Sequence, residues 1–277
     1  MAAAEGRARA RARLLTMIEQ RHGVGMRAGH LPSWLEVRLD RVLDGLEISG
    51  EGDLQAAVEG LAQDSGRLAE LAEILRVGET RLYRDPPCWD ALRRAVPSRW
   101  AERDRIRAVS VGCSTGEEAW TLAMLVDEAC RSGARKREWR VVGQERSEAA
   151  LATARDGLYP AVGARHLPED LRARYLTAEG DAVRVGGVLV ERVTFVQRDL
   201  MQGLPPGRYE LVVCKNVLIY FGAEAGRRAA ELLVRSLTDD GLLVVARSEV
   251  PRLRAMGYRG EEIAPGVTVF GGASTAR

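Results

Sequence analysis

An open α/β fold, with a mostly parallel sheet covered by helices and an all-helical domain ahead of it, is predicted by three observations. Residues 8 to about 76 carry helical periodicity and no strand-like alternation. Beyond Arg105, short β-branched runs alternate with helical stretches. Between Gly157 and Val193 the composition shifts again, to short runs joined by glycines.

In the first segment Leu14, Leu15 and Ile18, then Leu35, Leu39, Val42, Leu43 and Leu46, then Leu54, Ala57, Val58 and Leu61 recur at three- and four-residue steps. Pro32-Ser33, Gly50-Glu51-Gly52 and Asp64-Ser65-Gly66 punctuate the pattern and divide it into about four short helices. The Arg- and Ala-rich start resembles a transit peptide only superficially. It lacks serine, contains Glu5 and runs straight into helical periodicity, so it reads as a helix start. These breaks predict a helical domain over 1–76, a linker and the start of a second domain over 77–100, and a sheet domain over 101–277. The linker string TRLYRDPP ends in two prolines, which predicts a stiff, extended segment.

IRAVSV (106–111), WRVVG (139–143), VTFVQ (193–197), YELVVC (209–214) and GLLVVA (241–246) read as strands. Helical stretches at 115–132, 147–156 and 224–237 lie between them, the arrangement of right-handed βαβ units with both sheet faces covered. The insert, about 158–192, reads as a helix near 168–175 followed by short antiparallel strands in GDAVRVGGVLVERVTF.

Of 277 residues, 41 are Lys or Arg and 39 Asp or Glu. A net charge of +2 argues against nucleic acid as a partner. No uncharged apolar run approaches the roughly 20 residues of a membrane span, so no membrane insertion is expected. The four cysteines (Cys88, Cys113, Cys130, Cys214) form no C-x-x-C pair and read as reduced thiols in a cytoplasmic protein. With three scattered histidines as well, no metal site is expected.

The first strand runs into VGCSTGEEAW, which places Gly112 and Gly116 between a buried strand and a helix. In a doubly wound sheet that turn borders the ligand crevice, and its glycines let backbone approach closely. Neither G-x-G-x-x-G nor G-x-x-x-x-G-K-[ST] is present. A helix N-terminus welcomes phosphate, but Glu117-Glu118 at the helix start would repel it. The turn suits a nucleoside without phosphates and with a cationic group, although two acids there also complement the helix dipole. Glu145, just past the second strand, is placed to accept ribose hydroxyls, or is a solvated loop acid. Together these features point to S-adenosylmethionine.

Four strings then resemble, in order, the CheR-type chemotaxis-receptor methyltransferases: ILRVGETRLYRDPPCWDAL, VSVGCSTGEEAWTLAML, VVGQERSEAALATARDGLYP and VVCKNVLIYFGAEAGRRAAELLVRSLTDDGLLVVARSE. The likeness covers about residues 10–270. It implies a Rossmann-like methyltransferase sheet with a small antiparallel β-subdomain. It also implies S-adenosyl-L-methionine as cofactor, S-adenosyl-L-homocysteine as product, and methyl esterification of glutamates on the cytoplasmic domain of a chemotaxis-type receptor by a monomer.

By the same resemblance Thr80 and Arg84 reach the cofactor from the linker, and Arg84 and Tyr220 are the catalytic candidates. Gly78, Gly112, Glu118, Glu145, Asp199, Leu200, Lys215 and Asn216 complete the cofactor set. Glu118 would meet the methionyl end and Glu145 the ribose, with Asp199-Leu200 beside adenine. Val217, Leu218 and Ile219, with Trp120 and Met124, are expected to be packing residues. The hairpin near 183–192 resembles the family's docking element for receptor tails.

The chain departs from the family pattern where Gly78 replaces Asn, Glu145 replaces Asp, Asp199 replaces Asn and Lys215 replaces Arg; Leu82 stands where an aromatic is common. The alternative readings are a catalytically silent cofactor-sensing or receptor-scaffolding module, a small-molecule or nucleic-acid methyltransferase, and a nicotinamide oxidoreductase. The near-neutral charge and the helical domain disfavour the second, and the missing dinucleotide fingerprint with Glu117-Glu118 the third.

Overall fold

The computed structural model describes residues 2–22, 39–40, 43–44, 51–63, 80–132 and 137–271. The chain divides into two compact units, Met1–Gly78 with Ile219–Gly226, and Glu79–Leu218 with Arg227–Arg277.

In the first unit, α1 (Ala2–His22) and α2 (Glu51–Gln63) bring together apolar positions of the periodic pattern. Leu14, Leu15, Leu39, Leu43, Leu54, Val58 and Leu61 are all buried. Arg7 pairs with Asp44, Arg11 with Asp40 and Arg13 with Glu59, so these three arginines of the first helix serve the unit's own fold. The expected breaks at Pro32-Ser33 and Asp64–Gly66 lie outside the described residues.

The second unit is α/β. Its main sheet has seven strands, in the spatial order 193–197, 138–145, 105–111, 209–214, 237–245, 267–271 and 260–264. β1 (Arg105–Val111), β2 (Glu138–Glu145), β6 (Val193–Gln197), β7 (Tyr209–Cys214) and β8 (Leu237–Val245) are parallel. β9 (Gly260–Ala264) and β10 (Val267–Gly271) add an antiparallel edge that the sequence patterning does not suggest. From β1 the chain proceeds outward through β2 to β6, then returns to the other side of β1 with β7, so strand order reverses between β1 and β7. Ligands of open α/β sheets bind outside the carboxyl ends of strands at such a reversal. Register pairs Ser110 with Val213, which sets the residues after Val111 beside those after Cys214.

The crossover helices are α4 (Glu117–Arg131), α5 (Glu148–Asp156) and α8 (Ala223–Arg235), and α3 (Pro86–Arg99) precedes β1. Trp120 and Met124 are core, as expected: Trp120 stacks edge-on against Phe195 at 5.2 Å and donates its indole N–H to Ala154 O. The insert forms a second, three-stranded antiparallel sheet of β3 (Leu158–Pro160), β5 (Ala182–Val185) and β4 (Leu176–Glu179). α6 (Glu169–Tyr175) leads into it. The hairpin joins 176–179 to 182–185, not 183–192, because Val188–Arg192 is a short helix (α7) entered through Gly187 at φ +62°. Two further expectations need correction. The TRLYRDPP linker is a tight turn, since Tyr83 (φ +57°) and Asp85 (φ +70°) are left-handed and the prolines open α3. Ile219 is an exposed apolar residue rather than core.

Candidate functional site

The turn from β1 into α4 is shaped by glycine. Gly112 lies at φ +72° and Gly116 at φ +98°, and Ser114 is also left-handed at φ +51°. A Cβ on Gly112 would come within 2.5 Å of Val217 Cγ2, and one on Gly116 within 2.7 Å of Ala154 Cβ. The N–H groups of Gly112 and Cys113 both bond Gln144 O, at 2.7 and 3.1 Å, which ties this turn to the end of β2.

Three carboxylates border the turn, each in a different setting. Glu117 is buried; its Oε2 accepts the hydroxyls of Thr115 (2.7 Å) and Thr80 (3.2 Å), and desolvation raises its pKa. Glu118 accepts the Ser110 hydroxyl at 2.8 Å on Oε1. Burial pushes its pKa up to about 7, against the opposing fields of Lys215 and Arg84 and with a further push from Glu249. A carboxyl held that far up gains strongly from an added cation. Glu145 is aimed by backbone: its Oε1 accepts the N–H groups of Arg146 (2.7 Å) and Ser147 (3.0 Å), and its Oε2 that of Ser114 (3.2 Å). Such a carboxylate is pre-oriented at the end of β2 and is no loose loop acid.

The linker turn is fastened to the same helix. Tyr83 is buried; its N–H donates to Thr121 Oγ1 (2.9 Å), whose hydroxyl in turn donates to Glu117 O (2.7 Å). Its phenol donates to Asp90 Oδ1 at 2.6 Å. Arg84 follows directly, with its carbonyl accepting the Trp89 indole N–H (2.8 Å), and its charge is felt at Glu118. Thr80, Arg84, Gly112 and Glu118 are therefore brought together.

From the other side of the strand reversal come Lys215 and Asn216. Lys215 is buried and ion-pairs with Asp85 at 2.8 Å. Asn216 is left-handed (φ +59°), and its N–H donates to Glu249 Oε2 at 3.0 Å. Glu249, 1% exposed, also accepts the Ala246 N–H at 2.9 Å and so braces the loop after β7 against the end of β8. Asp199, past the end of β6, caps a short 3-10 turn by accepting Met201 N–H (2.8 Å), and Leu200 beside it is buried. Gly78 lies outside the described residues. Tyr220 is half-buried and belongs to the first compact unit.

Asp85 and Glu249 escape sequence reasoning. Asp85 meets its partner 130 positions away, and Glu249 resembles any acid at a helix start. The one usable signal is an N-cap Asp before Pro-Pro, and here it does not cap. Cys113 within the turn and Cys214 at the end of β7 are buried, and their thiol pKa values are pushed well above the ordinary range by burial and by neighbouring carboxylates.

Known proteins place this arrangement. A chemotaxis protein methyltransferase of Listeria monocytogenes is 29% identical over 191 residues, 68% of this chain and 71% of its own length. One of Borreliella burgdorferi is 27% identical over 229 residues, 79% of this chain and 80% of its own. A Rhodobacter capsulatus protein described as an uncharacterized 104.1 kDa protein in the hypE 3' region is 28% identical over 222 residues, 79% of this chain. The chain spans only 23% of that protein's length. Residues 78–256, which hold the glycine turn, the three carboxylates and the Lys215-Asn216 pair, match the CheR methyltransferase SAM-binding domain. S-adenosyl-L-methionine is thus the cofactor of this sheet, and the chain belongs to the CheR methyltransferase family.

Proposed function

We propose that the chain transfers a methyl group from S-adenosylmethionine to glutamate side chains on the cytoplasmic domain of a chemotaxis-type receptor, leaving glutamate methyl esters and S-adenosylhomocysteine. The observation that carries the reading is the acid-lined, glycine-shaped turn at the strand reversal. Gly112 and Gly116 let the turn pack closely against Val217, Ala154 and Tyr159, and Glu118 is poised for a cation. Those features fit a nucleoside that ends in an ammonium and carries no phosphate. Glu118 would hold the methionyl ammonium, Glu145 the ribose hydroxyls, and Asp199 with Leu200 the adenine side. Thr80, Lys215, Asn216 and Gly78 complete the proposed lining.

Bound S-adenosylmethionine supplies a methyl group made electrophilic by its sulfonium. The chain's own residues need supply little acid–base chemistry. A glutamate carboxylate has a reference pKa near 4.3 and is already ionised at neutral pH, so no general base is required. What remains is orientation, with reacting atoms held about 3 Å apart and in line. Arg84, on its fastened turn, is the proposed guide for the incoming carboxylate, with Tyr220 as its companion. The attack brings opposite charges together, and the exclusion of water around buried Glu117, Lys215 and Glu249 favours such a step. On this reading the inserted sheet serves receptor contact, and the chain works as a cytoplasmic monomer.

The test is single-turnover transfer of labelled methyl to a receptor cytoplasmic fragment. Label released as methanol by mild alkali, and absent when the receptor's glutamates are replaced by alanine, supports the proposal. Alkali-stable label, or cofactor binding without any transfer, refutes it.

A further inference from the structure

The conformation of Asp85 is costly and its side chain is diverted. At φ +70° and ψ +64° it occupies the left-handed region at the N-cap of α3, yet its carboxylate makes no capping bond. Asp is among the best N-cap acceptors, and here that role is surrendered. The carboxylate instead takes the ammonium of Lys215 at 2.8 Å. That ammonium lies 5.5 Å from the centroid of the Trp89 ring, and Trp89 is itself fixed by its bond to Arg84 O. The Lys215 side chain is only 4% exposed while that of Asp85 is 43% exposed, so the pair joins a buried cation to an anion at the surface.

A buried ammonium seeks the nearest carboxylates. Apart from Asp85, the charges around it include Glu118, whose ionisation the Lys215 charge already favours, with Glu249 and Arg84 acting on the same carboxyl. Glu249 Oε2 is committed to two backbone N–H groups. Glu118, with a single side-chain donor in Ser110, is the freer target. A lysine collapsed onto Glu118 would occupy the place that a ligand's own ammonium needs.

We propose that Asp85 is a positioning residue, which holds the Lys215 ammonium against Trp89 and so keeps Glu118 open for the ammonium of the ligand. The inference rests on the reading above, that Glu118 receives the amino-acid end of S-adenosylmethionine. Asp85 acts through Lys215 and touches no ligand itself.

Calorimetric titration with S-adenosylhomocysteine and with methylthioadenosine, the same nucleoside thioether without the amino-acid end, separates the possibilities. Asp85→Asn keeps the size and the tolerance for left-handed backbone, and thermal melting checks that it folds. In Asp85→Asn the affinity for S-adenosylhomocysteine should fall about tenfold, the scale of one charged hydrogen bond, while that for methylthioadenosine stays nearly constant. With Lys215→Gln as background, adding Asp85→Asn should leave the ratio of the two affinities unchanged, because no cation remains to be held. Equal losses for both ligands, an unchanged ratio, or an Asp85 effect that persists in Lys215→Gln would overturn the proposal. Failure of the underlying reading looks different: the wild-type protein would then bind both ligands alike, or Glu118→Gln would leave their ratio untouched.

Discussion

The affinity of the free protein for S-adenosylhomocysteine should depend on pH through Glu118. Its pKa is raised from 4.5 to about 7, first by burial and then by Glu249, with Lys215, Arg84 and the Ser110 hydroxyl opposing. A ligand ammonium docks on the carboxylate and not on the acid. At pH 8 about nine-tenths of Glu118 is ionised and at pH 6 about one-tenth, so affinity should fall about tenfold over those two units. The sign follows from linkage: the free protein holds a proton at pH 6 that the complex releases. Calorimetry at pH 6 in buffers of different ionisation enthalpy should therefore report close to one proton released. Glu118→Gln should flatten the profile and weaken binding at pH 8 by about tenfold to a hundredfold. The same shift has an opposite effect on the ligand-free fold. A carboxyl whose folded pKa lies above its unfolded one favours folding at low pH and loses that advantage as pH rises from about 4.5 to 7. Free Glu118→Gln protein should therefore resist heat better than wild type at pH 8. A flat wild-type binding profile between pH 6 and 8, or a slope that survives Glu118→Gln, refutes the reasoning.

Glu145→Ala should weaken S-adenosylhomocysteine binding about tenfold to a hundredfold by removing a pre-aimed charged acceptor; unchanged affinity in a titration would mean that Glu145 serves only its own turn. Arg84→Ala should lower single-turnover methyl transfer far more than thermal stability, and Arg84→Lys should restore only part of the rate, since an ammonium lacks the planar guanidinium fork. A folded Arg84→Ala protein with wild-type turnover removes Arg84 from the reaction. Gly116→Ala sets a Cβ 2.7 Å from Ala154 Cβ and 2.9 Å from the Tyr159 hydroxyl at a φ of +98°, so it should cost about 2 to 4 kcal/mol in denaturant unfolding. A midpoint equal to wild type would mean the turn yields more easily than its contacts imply.

What the sequence conveyed depended on the range of the interaction. Parallel strands such as VTFVQ and YELVVC are legible because β-branched runs bounded by glycine or charge have few other uses. Glu117 and Glu118 are legible because their chemistry opposes the phosphate that such turns usually hold. Gly260–Ala264 was invisible: it carries two exposed glutamates and gains strand form only by pairing with Val267–Gly271. Val188–Arg192 has strand composition, yet the left-handed Gly187 redirects it into a helical turn. Pro86-Pro87 suggested an extended run but opens a helix, because prolines suit the first helical positions as well as an extended run. The Asp85–Lys215 and Asn216–Glu249 contacts have no local signature at all: the second arises because β7 lies beside β8, and the first because the turn before α3 meets the end of β7.

The raised thiol pKa values bear on the redox behaviour of the protein. The thiolate, not the thiol, attacks electrophiles and enters the oxidation ladder. Cys113 lies inside the turn proposed to hold a methylating agent, where an ionised sulfur would be a competing acceptor and a site of peroxide damage. Burial together with the fields of Glu145 and Glu118 keeps that sulfur protonated, as burial, Glu249 and Glu118 do for Cys214. Burial, helped by the carboxylates that invite a cation into the turn, thus silences the soft nucleophiles beside the place proposed for the cofactor's methyl group.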